Sequence, residues 1–461
     1  MARVGWWLVN APALLTEIAE AWNRRGVRYA VAHGLEGYPD RLGRDVDVLV
    51  QASHVGVAVS AAADALEAHG LIVVHLHPIW GPRIVAVEPT SRAMLELHLI
   101  TELNWRGAAL ITAPNATRSV GPIAVDPELS FAKRIIAPLL AGNTDKFDCK
   151  PDEFRFDEGE AVAASSLLAR IMDADLGLAL HRSIGAGDVA AAIAIAPAVR
   201  RSILLRGLTR TPLRFAARSL RSVTRKLSQP FAASAPTVAL VGPDGAGKST
   251  LIRGLLARDH GVFTNVVVRH WRPQLLPRLG AFVNAPAPTP SSDGAVQPRR
   301  HAGRWNGLRL GYYYLDFLVG GWIKDRVANS RQQLVLYDRC ALDMQIDPVR
   351  YGLRSGAFHP LARRLLPWPE LVILLRCDAE RIHARKPELP VSELQRQLDA
   401  WQRLVDRGEV HAVLTTEGPV DAITEEAWGL ITEAFIAANR TRRGPDPPHA
   451  SAATVKVTEA Q

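Results

Sequence analysis

The amino-acid sequence predicts an α/β protein: a C-terminal parallel sheet with flanking helices, entered through a glycine-rich loop, plus an N-terminal α+β domain. Three observations carry this expectation. Apolar runs at residues 237–241, 266–269, 333–337 and 371–375 alternate with helix-like stretches, as strand–helix units of a parallel sheet do. The first of these runs feeds a glycine loop and then a helix. The first half instead gathers short alternating runs around alanine-rich helical segments.

In that first half, residues 13–25 read as a helix and 29–32 as a strand. A loop with Gly34, Gly37 and Pro39 leads to a strand at 45–51 whose alternation suits one buried face. A helix at 55–69 is stopped by Gly70. Strands are expected at 71–75, 83–87 and 94–99, and helices at 131–140 and 158–179. In the second half, 249–258 reads as the helix after the loop. Residues 286–299, rich in Pro, Ser and Gly, read as a mobile insertion, and the polar tail from Thr441 as disordered. The predicted organisation is therefore a first domain at 1–197, a basic linker at 198–235, a second domain at 236–438 and a tail at 439–461.

A chain of 461 residues exceeds one hydrophobic core, and its 48% apolar and 22% charged residues are ordinary for folded protein. Cys149, Cys340 and Cys377 have no metal-ligand spacing and fit a reduced compartment. Residues 1–10 lack a basic-then-apolar leader. No run approaches about 18 uncharged apolar residues. The nearest, 310–323, carries Asp316 between Arg309 and Lys324 and reads as a buried aromatic-rich helix. A cytoplasmic chain is expected.

The net charge of +9 equals the nine basic residues between Arg200 and Lys226, where no acidic residue stands. Only Phe215 offers a stacking ring there, which argues against nucleic acid. Arg206, Arg210, Arg214 and Arg218 recur every four residues, and Arg221 and Arg225 continue that face. Leu213, Ala217, Leu220 and Leu227 lie elsewhere on the wheel of a basic amphipathic helix, or two helices broken near Pro212. This segment fits a solvated interdomain helix or a peripheral contact with anionic lipid. A small-molecule acceptor is the other expected partner, and the oligomeric state is open.

The chemistry concentrates at Gly242-Pro243-Asp244-Gly245-Ala246-Gly247-Lys248-Ser249-Thr250, a complete G-x-x-x-x-G-K-[ST] pattern. Glycines let the backbone wrap phosphate oxygens with N–H groups turned inward, and the following helix adds its positive end. Lys248 would reach the β- and γ-phosphates of ATP, and Ser249 would ligate Mg²⁺. Downstream, Asp338-Arg339 closes a strand at the end where α/β sheets bind ligands. Asp338 would order Mg²⁺ or its waters, and Arg339 would hold an acceptor phosphate. Arg381, Arg385 and Lys386 fit a cationic lid or a solvated helix face.

These motifs resemble the thymidylate kinase group of nucleoside monophosphate kinases over about residues 237–438. The resemblance implies a five-stranded parallel core, ATP and Mg²⁺, with Asp244 and the Asp338-Arg339 pair facing the acceptor. It also implies an acceptor-phosphate role for Arg272, in His270-Trp271-Arg272-Pro273. The group's aromatic after Asp-Arg is Cys340 here, and Asp343 and Asp347-Pro-Val-Arg-Tyr351 replace its acceptor signature. With Ala384-Arg-Lys-Pro-Glu388, the chain is closer to divergent thymidylate kinase-like proteins associated with cell-surface polysaccharide synthesis. The acceptor, a nucleoside monophosphate or a sugar or glycan precursor, is left open.

In the first half, Asp45 and Asp47 leave one face of a strand, a spacing that suits Mg²⁺ or a solvated face. Glu96 offers a third carboxylate, and His98 is assigned no role. With His33-Gly34, this pattern resembles the nucleotidyltransferase-like family of the polymerase β superfamily over about residues 26–99. The resemblance implies a glycine loop for triphosphate and carboxylates for metal, although Leu35 replaces the usual small residue. Three functions are thus expected to compete: an ATP-dependent kinase of small metabolites, nucleotidyl transfer by the first half, and a non-catalytic ATP-binding scaffold for polysaccharide assembly.

Overall fold

The computed structural model describes residues 5–35, 45–76, 81–112, 125–142, 147, 154–156, 159–232, 234–258, 261, 263–273, 275–276, 306–348, 350 and 368–440. The expected insertion at 286–299 and the tail from Thr441 lie outside them. The chain is mixed α/β, with a five-stranded parallel sheet flanked by helices and a separate mixed sheet.

The first half opens with helix α1 (Gly5–Arg24), then strands β1 (Tyr29–His33) and β2 (Asp45–Val50), helix α2 (Val55–Ala68), and strands β3 (Ile72–Leu76), β4 (Arg83–Val87) and β5 (Met94–Ile100). The sheet order is β1-β2-β5-β4-β3. Only β2 and β5 run parallel within it. Leu14, Leu15, Ile18 and Trp22 of α1 bury one helical stripe with Ala58, Ala62 and Leu66 of α2 against the strands. A hairpin of β6 (Glu102–Trp105) and β7 (Ala108–Thr112), absent from the expectations, follows directly.

Helix α3 (Pro127–Phe131) is capped by Asp126, whose carboxylate accepts from Leu129 N at 2.9 Å. It passes through a π turn into α4 (Ala137–Ala141). Helices α5 (Glu160–Ile171), α6 (Ala174–Ala186) and α7 (Val189–Arg210) complete a second core around Phe131, Leu167 and Ile184. The boundary expected after residue 197 falls inside α7. Pro197 sits within that helix, and Val199 and Ile203 beyond it are buried in the first-half core. Helix α8 (Pro212–Ser228) then begins at the proline.

The second half contains β8 (Thr237–Val241), α9 (Lys248–Leu256), β9 (Asn265–His270), α10 (Asn306–Gly320), α11 (Arg326–Ser330), β10 (Gln333–Asp338), α12 (Asp343–Ile346), β11 (Leu371–Arg376), α13 (Ala379–Arg385), α14 (Val391–Asp406), β12 (Ala412–Thr415) and α15 (Val420–Arg440). Its sheet runs β12-β11-β8-β10-β9 with every pairing parallel. Chain connections leave β8 toward β9 and β11 toward β12, in opposite directions, so a topological switch point opens between β8 and β11 at their C-terminal ends. The two halves share an apolar cluster in which Val74, Val85 and Met94 meet Leu255, Phe263, Trp428 and Phe435. The segment expected as a buried helix at 310–323 is α10 and the π turn after it. Its Asp316 is fully buried, whereas Leu315 and Ile323 face outward.

Candidate functional site

The fully buried strand β8 delivers the chain into the glycine loop at the switch point. Gly242 has φ +133°, and a Cβ there would lie 2.7 Å from the carbonyl oxygen of Leu375, so only glycine lets the loop start this close to β11. Gly245, at φ +88°, is covered by Ile382 and Lys386 at the end of α13. Helix α9 begins at Lys248, with its first N–H groups turned toward the loop as an anion site requires.

Lys248 is buried, and its Nζ donates to the carbonyls of Gly242 and Pro243, both at 2.8 Å. Burial and the nearby Arg339 guanidinium pull its pKa down to about 8, against the pull of Asp343, Asp244 and Asp338. These carbonyls satisfy the ammonium without cancelling its charge. Ser249, next along the helix, is exposed.

Strand β10 ends beside β8 at Asp338, and Arg339 follows with φ +75°, a conformation costly for a residue with a Cβ. Its backbone N–H donates to Leu240 at 3.0 Å, pinning the turn. The guanidinium forms an ion pair with Asp244 of the loop and donates to Asp343 Oδ1 at 2.8 Å. Arg350 adds a second ion pair to Asp244. Burial pushes the Asp244 carboxyl up, but Arg339, Arg350 and Lys248 overcome it and hold the group well below the usual carboxylate range. Burial pushes Asp343 up in spite of Arg339 and the N–H of Cys340, which donates to Asp343 Oδ2 at 3.0 Å.

Asp338 is different. Its Oδ1 is buried and has no hydrogen-bond partner among the described residues, and its Oδ2 stands 3.6 Å from His270 Nδ1. A buried carboxylate oxygen without a donor is expensive, and a cation or its bound water answers that need. Asp338 is therefore the carboxylate here that could hold a cation.

Arg272 is buried, donates from Nη1 to Asp316 Oδ2 at 2.9 Å, and stacks over Tyr312 and Tyr313. The same Asp316 accepts from the N–H groups of Leu275 and Leu276, both at 2.8 Å. Arg272 is thus joined to the packing of α10. Arg381 turns to Glu417 at 3.2 Å. Arg385 is exposed, on the helix whose Ile382 and Lys386 touch the loop. Sequence reasoning did not assign Arg350 or Asp343. Asp343 stands four residues after Arg339, a spacing that signals a local ion pair, whereas nothing local marks Arg350 as a partner of Asp244.

In the first half, Asp45 stands opposite Glu96 and Asp47 opposite His98 in the β2–β5 register. A Cβ on Gly34 would strike the Asp45 carbonyl oxygen at 2.3 Å, so the glycine brings its loop onto β2. Two of the three carboxylates are engaged, and the third, Asp45, is exposed. Asp47, 1% exposed, pairs with His98 at 3.0 Å and with Lys133. Glu96 pairs with Arg83 at 3.0 Å and accepts from Gln332 Nε2 of the second half at 2.9 Å. Burial, and the neighbouring Asp45, raise the Glu96 pKa against the pull of Arg83 and Gln332. Among the described residues no group of three or more His, Cys, Asp or Glu is placed to hold a metal ion. Lys133 stands at Asp47 and Arg83 at Glu96, two of the three carboxylates through which the resemblance implies a metal. No described helix is long and apolar enough to cross a membrane.

Neither a protein-family model nor a curated protein matches this chain.

Proposed function

We propose that the second half is an ATP-dependent kinase acting on a small metabolite. The observation that carries this reading is the glycine loop at a parallel-sheet switch point, with the buried Lys248 donating to two loop carbonyls. A phosphate entering the loop offers Lys248 oxygens of full negative charge in place of those carbonyls. The N–H groups of Gly245, Gly247, Lys248 and Ser249 and the positive end of α9 add to the same anion. Asp338 and Ser249 would hold Mg²⁺, which supplies charge neutralisation on the transferring phosphoryl group.

Arg339 and Asp244 lie between the loop and the end of β10, where an acceptor must approach the γ-phosphate in line. Asp244, kept ionised by two guanidinium groups, orients both of them and can accept from an acceptor hydroxyl. Catalysis by such a site is positioning and electrostatics rather than covalent chemistry. The residue pattern after Asp338-Arg339 does not select an acceptor, so a nucleoside monophosphate and a sugar or glycan precursor both fit.

The first half enters this reading as a partner domain rather than a nucleotidyltransferase, because Lys133 and His98 occupy Asp47. The test of the kinase reading is ADP formation by the full chain with ATP, Mg²⁺ and a metabolite extract. Lys248→Ala is expected to lower the rate on the order of a hundredfold or more. An unchanged rate would sink the assignment.

A further inference from the structure

We propose that helix α8 docks the protein on an anionic lipid surface, with its leucines in the acyl boundary and its arginines among the headgroups. The helix is amphipathic in the reverse of the usual sense. A surface helix of a globular protein turns its apolar stripe to the core. Here the side toward the body is formed by Phe215, Arg218, Ser219 and Ser222, the less exposed positions of the helix. Phe215 packs on the first-half core, Arg218 pairs with Glu102 at 2.9 Å, and Ser219 Oγ donates to the carbonyl of Arg106 at 3.3 Å. Leu213, Leu220, Val223 and Leu227 fall within an arc of about 80° on the opposite side, at 3.6 residues per turn. They are 86%, 65%, 53% and 71% exposed. Phe231, in the 3-10 turn that follows, is 75% exposed.

The helix is seated, not loosely tethered. Gly107, at φ +94° in the β6–β7 turn, approaches so closely that a Cβ there would lie 2.9 Å from the Phe215 carbonyl oxygen. Its outward leucine stripe is therefore a fixed feature of the surface, and a stripe of this kind marks an interaction site.

Charge selects the occupant. Arg214 and Arg221 flank the stripe, and no carboxylate pairs with either among the described residues. The segment from Arg200 to Lys226 holds nine basic residues and no acidic one. A second copy of the helix would set like charge against like. Nucleic acid would gain little from a leucine stripe without exposed stacking rings along the helix. An anionic bilayer satisfies both features, apolar side chains below and guanidinium groups at the headgroup level.

The experiment is vesicle flotation of the full chain, with phosphatidylcholine vesicles and with vesicles that also contain phosphatidylglycerol. The protein should float with the anionic vesicles at low salt, and not with the neutral ones. Leu220→Glu with Leu227→Glu should reduce the bound fraction about tenfold or more while leaving thermal melting unchanged. Arg214→Gln and Arg221→Gln should each weaken binding on the order of fivefold. No flotation with anionic vesicles, or flotation unaltered by the leucine pair, would overturn the proposal. So would a dimer in solution that the leucine substitutions disperse, or tighter binding to an oligonucleotide that they leave intact.

Discussion

The ends of β10 and the β2–β5 pair both present carboxylates at a sheet, yet they treat those charges in opposite ways. At β10, Asp338 keeps a buried oxygen without a donor among the described residues, and the Lys248 ammonium donates to neutral carbonyls while the charges of Asp343, Asp244 and Asp338 pull on it. At β2–β5, Asp47 is closed by His98 and Lys133, and Glu96 by Arg83 and Gln332. A site that must exchange partners keeps uncompensated charge. A structural ion-pair network spends its charges internally. The same residue types therefore read as chemistry in one place and as architecture in the other.

The largest effect should come from removing the uncompensated charge. Asp338→Asn is expected to slow ADP formation by about a hundredfold, measured with saturating ATP and Mg²⁺. A loss of thermal stability without a loss of rate would place Asp338 with the structural carboxylates. The converse variant is Lys133→Met, which leaves Asp47 to His98 alone. Because Lys133 is partly exposed, it should cost about 2 kcal/mol of stability in urea unfolding, with ATP turnover preserved. A turnover collapse at unchanged stability would return a catalytic role to the first half.

Gln332→Ala removes the donor that carries Glu96 across to the second half. A loss of about 1 kcal/mol is expected, read from the same unfolding curves. The smallest effect is pH dependence. Lys248 is protonated below its pKa of about 8, and its charge is lost as pH rises through that value. ATP affinity should weaken severalfold across that rise, and calorimetry in two buffers should show proton uptake on binding only on its alkaline side.

Local features of this fold were legible in the sequence, and distant pairings were not. The strand–loop–helix at β8 and α9 is encoded in adjacent residues, so its glycines and Lys248 could be named. Asp338-Arg339 was legible because it closes an apolar strand run. The pairs Arg350–Asp244 and Gln332–Glu96 join residues 106 and 236 positions apart, and no local pattern reports them. Arg272 shows the same limit: its motif position suggested an acceptor phosphate, and its pairing with the buried Asp316, 44 positions on, is not written in that motif. The buried Asp316 was itself visible in the sequence, and a buried carboxylate demands a cation. The β6–β7 hairpin escaped notice because Arg106-Gly107 turns the chain between runs too short for a period to show.

The central claim is phosphoryl transfer from ATP to a small acceptor at the glycine loop. The most direct measurement is mass spectrometry of a metabolite extract incubated with the full chain, ATP and Mg²⁺, beside the Lys248→Ala variant. A new phosphorylated metabolite, formed with ADP by the parent chain and missing with the variant, is the predicted result. ADP with free phosphate alone, or the same products from both chains, would contradict it.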